Sequence, residues 1–374
     1  HRVDRRQRQM CIRDRNMRAL FLIHVLLLFV GCSSSDEPVM VLTPEETRYF
    51  PPLSGTTWDT VDPTDLGWNT SNIADLEDFL IDTNTEAFLI LENGKIAFEA
   101  YYNGKSSTDF FPWNSAGKTL TAFTVGLAQQ EGFLDLEDQT TQYLGRGWTA
   151  MTTEQEDAIR IKNQLTMTSG GDFTNENTAC YDPECLTFKA VPGTEWYYYN
   201  AYYTLLQPVL EAATPNGFEA FFENELKTKI GLDGRWVSLG YNNVYFSTAR
   251  SMARFGLLNL NKGKWNDTQL LNTTYWEAMT TTSQELNPSY GYLWWLNGKS
   301  SFKLPGATQS FNGKLIPNAP DDLIAGLGAN DKKLYVVPSK NLVIVRLGPA
   351  AYAEDLGPTS YDNDLWGVLN EVLN

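Results

Sequence analysis

A chain of 374 residues, 42% of them hydrophobic, can bury a large core as one big domain or two ordinary ones. Its net charge of −16 disfavours nucleic acid and anionic membrane faces as partners and suits solubility in salty surroundings. Both histidines, His1 and His24, fall within the first 31 residues; if that segment is lost, Ser-His-Asp and Cys-His mechanisms and His-ligated metal sites are excluded, and any general base must be Lys, Tyr, Asp or Glu.

Residues 1–16 hold six Arg in a polar run without apolar periodicity and read as foreign to the folded protein or as a disordered basic arm. Met17 and Arg18 then lead into a short apolar run, 20–30, which is too short for an ordinary span and reads as a cleaved signal, 17–31. Gly31-Cys32 at its end resembles the lipobox of bacterial lipoproteins. That resemblance implies lipid on Cys32 and an exported protein, periplasmic or at the cell surface, touching a membrane only through this anchor. Residues 32–55 are a polar tether, and loss of 1–31, with seven Arg and two Asp, leaves a net charge of −21.

Residues 73–81 place apolar side chains at helical spacing behind Ser71 or Asn72 as a cap. Two strand-like runs follow, 87–91 and 96–102, joined by Glu92-Asn93-Gly94-Lys95, where Asn-Gly predicts a hairpin. The stretch 115–279 reads as mostly helical. Three more strands are predicted at 323–328, 334–337 and 342–345, with a closing helix over 361–373. Strands from both ends with helices between them imply one sheet assembled from the termini, within a single catalytic domain, 56–374. Cys180 and Cys185, in NTACYDPECL, are spaced so that a surface loop can close in an oxidising compartment, and we read them as a disulfide; two cysteines without histidines fall short of a zinc site. No metal or cofactor is expected.

Chemistry concentrates at two places. In FFPWNSAGKTL, Ser115 precedes a helix and Lys118 follows on the same face, so an amine sits beside a hydroxyl near a helix N-terminus. A lysine partly buried there has a lowered pKa and can accept the serine proton. A second match, Ser300 to Lys303, lies between Gly298 and Pro305, where no long helix starts, and is set aside. In VPGTEWYYYNAYYTLL, Tyr198 can relay a proton, and Asn200 can bind the lysine and a substrate carbonyl. The same Y-x-N spacing recurs at Tyr241 to Asn243 and Tyr361 to Asn363, outside such a context. Trp113, Trp196, Trp294 and Trp295 are candidates to line an apolar acyl pocket.

The order of S-x-x-K, PGTEWYYYNAYYTLL, STARSMARFGLLNLNKGKW, YGYLWWLNG and LYVVPSKNLVIVRLG resembles the class C beta-lactamase and penicillin-binding-protein-like serine hydrolases over residues 56–374. The resemblance implies an α/β sandwich: an antiparallel sheet flanked by helices, with an inserted helical subdomain and the site at their junction. It makes Ser115 the nucleophile, Lys118 its partner, Tyr198 the general base or relay and Asn200 a substrate contact, with the Cys180–Cys185 link bracing the active-site loop. The departure is in the third motif. The family's Lys-Thr-Gly falls, by ungapped counting back from Pro338, at Leu323-Ile324-Ala325, so the cation is missing unless Lys332 or Lys333 reaches in. A strand N–H near Gly326, within the run to Gly328, is then expected to pair with Ser115 N–H as the oxyanion hole. The expected reaction is cleavage of an ester or small amide through an acyl-enzyme, the alternatives being a beta-lactamase, a DD-peptidase or a non-catalytic binding lipoprotein.

Overall fold

The structure, a computed structural model, describes residues 48–174, 177–353 and 357–373; the basic stretch, the signal, Cys32 and the tether up to residue 47 lie outside the described residues. Helix α1 (Ile73–Asp82) leads into strands β1 (Ala87–Glu92) and β2 (Lys95–Tyr101), then strand β3 (Phe111–Pro112) and helix α2 (Lys118–Gln130). Helix α3 (Asn200–Thr204), strands β4 (Arg235–Leu239) and β5 (Asn242–Ser247) and helix α4 (Ala249–Leu260) follow. Strands β6 (Trp295–Leu296), β7 (Ile324–Gly328), β8 (Lys332–Val337) and β9 (Leu342–Leu347) and helix α5 (Ser360–Leu373) complete the fold.

The main sheet runs β2-β1-β9-β8-β7-β6, with every neighbouring pair antiparallel. Segments from opposite ends of the chain meet at its centre, Leu89 opposite Val345 and Ile90 opposite Ile344. Both faces are covered, which is why β1 and β9 read as continuous apolar runs rather than alternating ones. On one face α4 approaches so closely that a Cβ at Gly256 would lie 2.4 Å from Val343 Cγ1. On the other, α1 and α5 pack together, Phe79 stacking on Tyr361 while Trp366 meets Tyr335 edge-on. This is the α/β sandwich expected from the sequence, with its sheet built from both termini.

The hairpin β1–β2 turns at Asn93 and Gly94, whose φ values of 50° and 84° are those of the turn that matches strand twist. Gly94 is also required by contact, since a Cβ there would lie 1.9 Å from the Tyr49 carbonyl oxygen. Asn72 does sit at the start of α1, but its side chain makes no cap; its amide donates to the Glu371 carbonyl (2.9 Å) and ties α1 to the end of α5.

The middle of the chain is less helical than expected. Strands β3, β5 and β4 form a second antiparallel sheet in that order. Trp236, Val237, Val244, Tyr245 and Phe246 supply the β-branched and aromatic residues that favour pleated structure, but the runs are too short for periodicity to show it. Helix α2 lies at the centre of the molecule, buried from Lys118 through Ala128, as befits a helix without a solvent face.

Candidate active site

Ser115 lies in the tight turn Asn114–Gly117 that opens into α2. Asn114 adopts a left-handed φ of 48°, which Asn tolerates better than most residues, and its amide donates to the Ala329 carbonyl at 2.8 Å. That bond fastens the turn to the end of β7. Gly328 permits the approach, because a Cβ there would lie 2.4 Å from the Trp113 carbonyl oxygen. Ser115 is half-buried, and its Oγ accepts a 2.8 Å hydrogen bond from the Lys118 amine.

Lys118 is only 2% exposed, and its Nζ sits 3.9 Å from the ring centroid of Tyr203 and 4.8 Å from that of Tyr198. Burial holds its pKa well below the ordinary lysine value. Burial pushes the pKa of the Tyr198 phenol above the ordinary tyrosine value, against a smaller lowering by Ser115. Its ring stacks on Trp295 at 5.8 Å and meets Tyr290 edge-on at 6.3 Å. Burial pushes the Tyr203 phenol up to about 12.

An open cavity of about 290 Å³ lies over Ser115, and none of its lining residues is charged. Asn200 and Tyr203 come from α3, Leu239, Asn242 and Val244 from the hairpin β4–β5, and Ala329 from the turn after β7. The expected contact of Asn200 with Lys118 is not made: Asn200 Oδ1 is buried with no hydrogen-bond partner, while the lysine amine is directed to Ser115.

Other expectations are corrected by burial. Trp113 is fully buried; its indole donates to Ser247 Oγ (2.7 Å) and packs against Tyr245 and Phe255, so it supports the serine turn rather than touching substrate. Trp196, Trp294 and Trp295 are likewise core residues. Gly326 lies beside Thr119 and the Ala116 carbonyl, and Gly328 against the turn backbone, so both serve close packing; Ala329 is the strand-end residue that reaches the cavity. Leu323 and Ile324 are buried away from the cavity, and neither lysine lines it. Lys332 donates to the Asn330 and Gly348 carbonyls, and Lys333 to Gly357 and Asp362, beneath α5. Ser300 to Lys303 lies around a short hairpin strand, Ser301–Phe302, not on a helix.

Cys180 and Cys185 are disulfide-bonded, with Cα atoms 5.9 Å apart. Among the described residues no group of three or more His, Cys, Asp or Glu is placed to hold a metal ion. Asn114, Tyr203, Leu239, Asn242 and Ala329 escaped sequence reasoning. Tyr203 had a usable signal, lying three residues after Asn200 and hence on its face of a helix. The cavity residues of β4–β5 had none, although the discarded Tyr241-x-Asn243 pattern lies at that hairpin.

Known proteins bear out the arrangement of elements. A Bacillus anthracis protein proposed to be a 6-aminohexanoate-dimer hydrolase superposes with a TM-score of 0.66 at 19% identity, over 86% of this chain and 88% of its own. A D-stereospecific amidohydrolase from Streptomyces gives 0.56 at 16% identity, over 79% and 97%. In sequence, a beta-lactamase from Pseudomonas fluorescens is 27% identical over 168 residues, 40% of this chain and 45% of that protein. The beta-lactamase family model matches residues 73–348, more than half of the chain, and the protein therefore belongs to the beta-lactamase family.

Proposed function

We propose that the protein is a serine hydrolase that cleaves a neutral ester or small amide through an acyl-enzyme on Ser115. The observation that carries this reading is the 2.8 Å contact of Lys118 Nζ with Ser115 Oγ, made by a lysine that burial drives toward its neutral form. A neutral amine takes the serine proton as Oγ attacks the substrate carbonyl. The backbone N–H groups of Ser115 and Ala329, both residues of the cavity wall, are the proposed oxyanion donors. Tyr198, whose raised pKa keeps it a neutral phenol near neutral pH, suits a relay that passes the proton to the leaving group better than it suits a base. Water then cleaves the acyl-enzyme by the same route in reverse. The uncharged cavity favours neutral substrates, and the names of the two structural neighbours are in keeping with a small amide.

A fluorophosphonate probe tests the assignment. Labelling of the native protein that disappears in Ser115→Ala is expected; no labelling anywhere between about pH 6 and 9 would overturn it and leave a binding module with this fold.

A further inference from the structure

The wall of the Ser115 cavity supplied by β4–β5 has two faces. Leu239 pairs with Asn242 and Val237 with Val244, so these four side chains share one face of the hairpin. Leu239, Asn242 and Val244 line the cavity. Ser238 and Asn243, on the opposite face, line a neighbouring groove of about 660 Å³, which shares Asn242 with the cavity. Leu239 remains 50% exposed although it is large and apolar, and it stands beside an uncharged cavity that holds the reactive serine. An apolar surface left open at such a place gains by covering an apolar group of the substrate.

The hairpin tip is held from outside the cavity. The Tyr241 hydroxyl donates to the Asp182 carboxylate, and the Tyr241 ring meets Tyr181 edge-on at 5.1 Å. Both partners lie within the loop closed by the Cys180–Cys185 bond. The same segment grips the opposite wall: the Tyr199 hydroxyl donates to the Cys185 carbonyl at 3.2 Å, and the Ala201 N–H to the carbonyl of Thr178, two residues before the loop, at 2.9 Å. One loop thus clamps the segment that carries Tyr198 and Asn200 together with the hairpin that carries Leu239.

We propose that Leu239 selects substrates by the aliphatic chain seated against it, and that Tyr241 and Asp182, held by the Cys180–Cys185 loop, are positioning residues that set the width of that seat. The inference rests on Ser115 as nucleophile and narrows its substrate to neutral esters or amides bearing an unbranched aliphatic chain of a few carbons. Each methylene covered by the wall is worth about fourfold in kcat/KM, the value of one buried CH₂. A charged chain gains nothing there.

The test measures kcat and KM of the full chain with p-nitrophenyl acetate, butanoate, hexanoate and octanoate, alongside Leu239→Asn, Tyr241→Phe and the Cys180→Ser/Cys185→Ser pair. Thermal melting monitors folding; Leu239 is half exposed and Tyr241→Phe keeps the ring, so both variants are expected to fold. The wild type should gain about fourfold per methylene up to an optimum and then decline. Leu239→Asn should flatten the rise, chiefly through KM. Tyr241→Phe and the double serine variant should move the optimum to longer chains and raise KM for the former optimum by roughly three- to tenfold, with kcat nearly unchanged, the net worth of one hydrogen bond exposed to solvent. A Leu239→Asn profile that superposes on the wild type overturns the selecting role; an unmoved optimum in both tether variants overturns the positioning role. Either result with turnover still dependent on Ser115 leaves the parent reading standing, whereas turnover that survives Ser115→Ala, or no turnover of these esters or the matching p-nitroanilides together with no fluorophosphonate labelling, removes both.

Discussion

Lys118 and Lys333 are both buried, under opposite conditions. Lys118 sits among two tyrosine rings and a serine, with no counter-charge among the described residues to offset the loss of its hydration, so its proton is weakly held. Lys333 is fully buried with Asp331 Oδ1 at 3.1 Å and Asp362 Oδ2 at 2.7 Å, and the Gly357 carbonyl accepts a further 2.8 Å bond. Burial pushes the Asp331 carboxyl up, but Lys333 and hydrogen bonds from the Ala351 N–H and the Thr359 hydroxyl outweigh it and hold the pKa below the ordinary value. Burial without a counter-charge makes a base; burial with one makes a brace. The two regions share the turn between β7 and β8, since Ala329 at its start lines the Ser115 cavity and Asp331 at its end pairs with Lys333.

Replacing each lysine by methionine separates the two roles most sharply. Lys118→Met should lower kcat/KM by about 10²- to 10⁴-fold, the usual worth of a positioned base. It should also raise the melting temperature. The folded pKa of Lys118 lies below the unfolded one, so the unfolded chain binds the extra proton between them; that cost to folding is full below the folded pKa and fades as pH rises to the ordinary lysine value. Lys333→Met should instead strand two carboxylates and cost about 3–5 kcal/mol in urea denaturation at neutral pH. Equal destabilisation by both substitutions would break the comparison.

A substrate carboxylate is the next probe. No charged residue lines the cavity over Ser115, and Lys332 and Lys333 are engaged elsewhere, so a beta-lactam carboxylate lacks a charge-assisted hydrogen bond worth about 1–3 kcal/mol. Short-chain esters should exceed a chromogenic cephalosporin by roughly a hundredfold in kcat/KM, both depending on Ser115. Efficient cephalosporin turnover would show that the anion finds another partner.

The smallest effect is the placement of a titration. Because burial lowers the Lys118 pKa and raises that of Tyr198, kcat/KM should climb as Lys118 loses its proton, with this limb well below the ordinary lysine range. Tyr198→Phe should lower the plateau and leave the limb where it is. A limb that moves with Tyr198→Phe would assign the titrating base to the phenol.

The contact between Ser115 and Lys118 was legible in the sequence because it is local: three residues in a helical start fix the face, and an Asn-Gly pair or a continuous apolar run likewise announces its own geometry in β1, β2 and β9. Tyr198 was readable from its Pro-Gly context. The identity of the cavity wall was not, because Leu239, Asn242 and Ala329 lie in segments distant from Ser115, and only the pairing of β4 with β5 and of β7 with β8 brings them there. The tryptophans show the opposite limit: aromatic composition alone does not distinguish a pocket from a core, and Trp113 became a support only through its bond to Ser247. Charge behaves in the same way. The sequence by itself determined that Lys118 stands beside Ser115, whereas only the tertiary structure decided that Lys118 meets no acid among the described residues and Lys333 meets two, because the pKa of a buried group is set by neighbours that chain folding brings from afar.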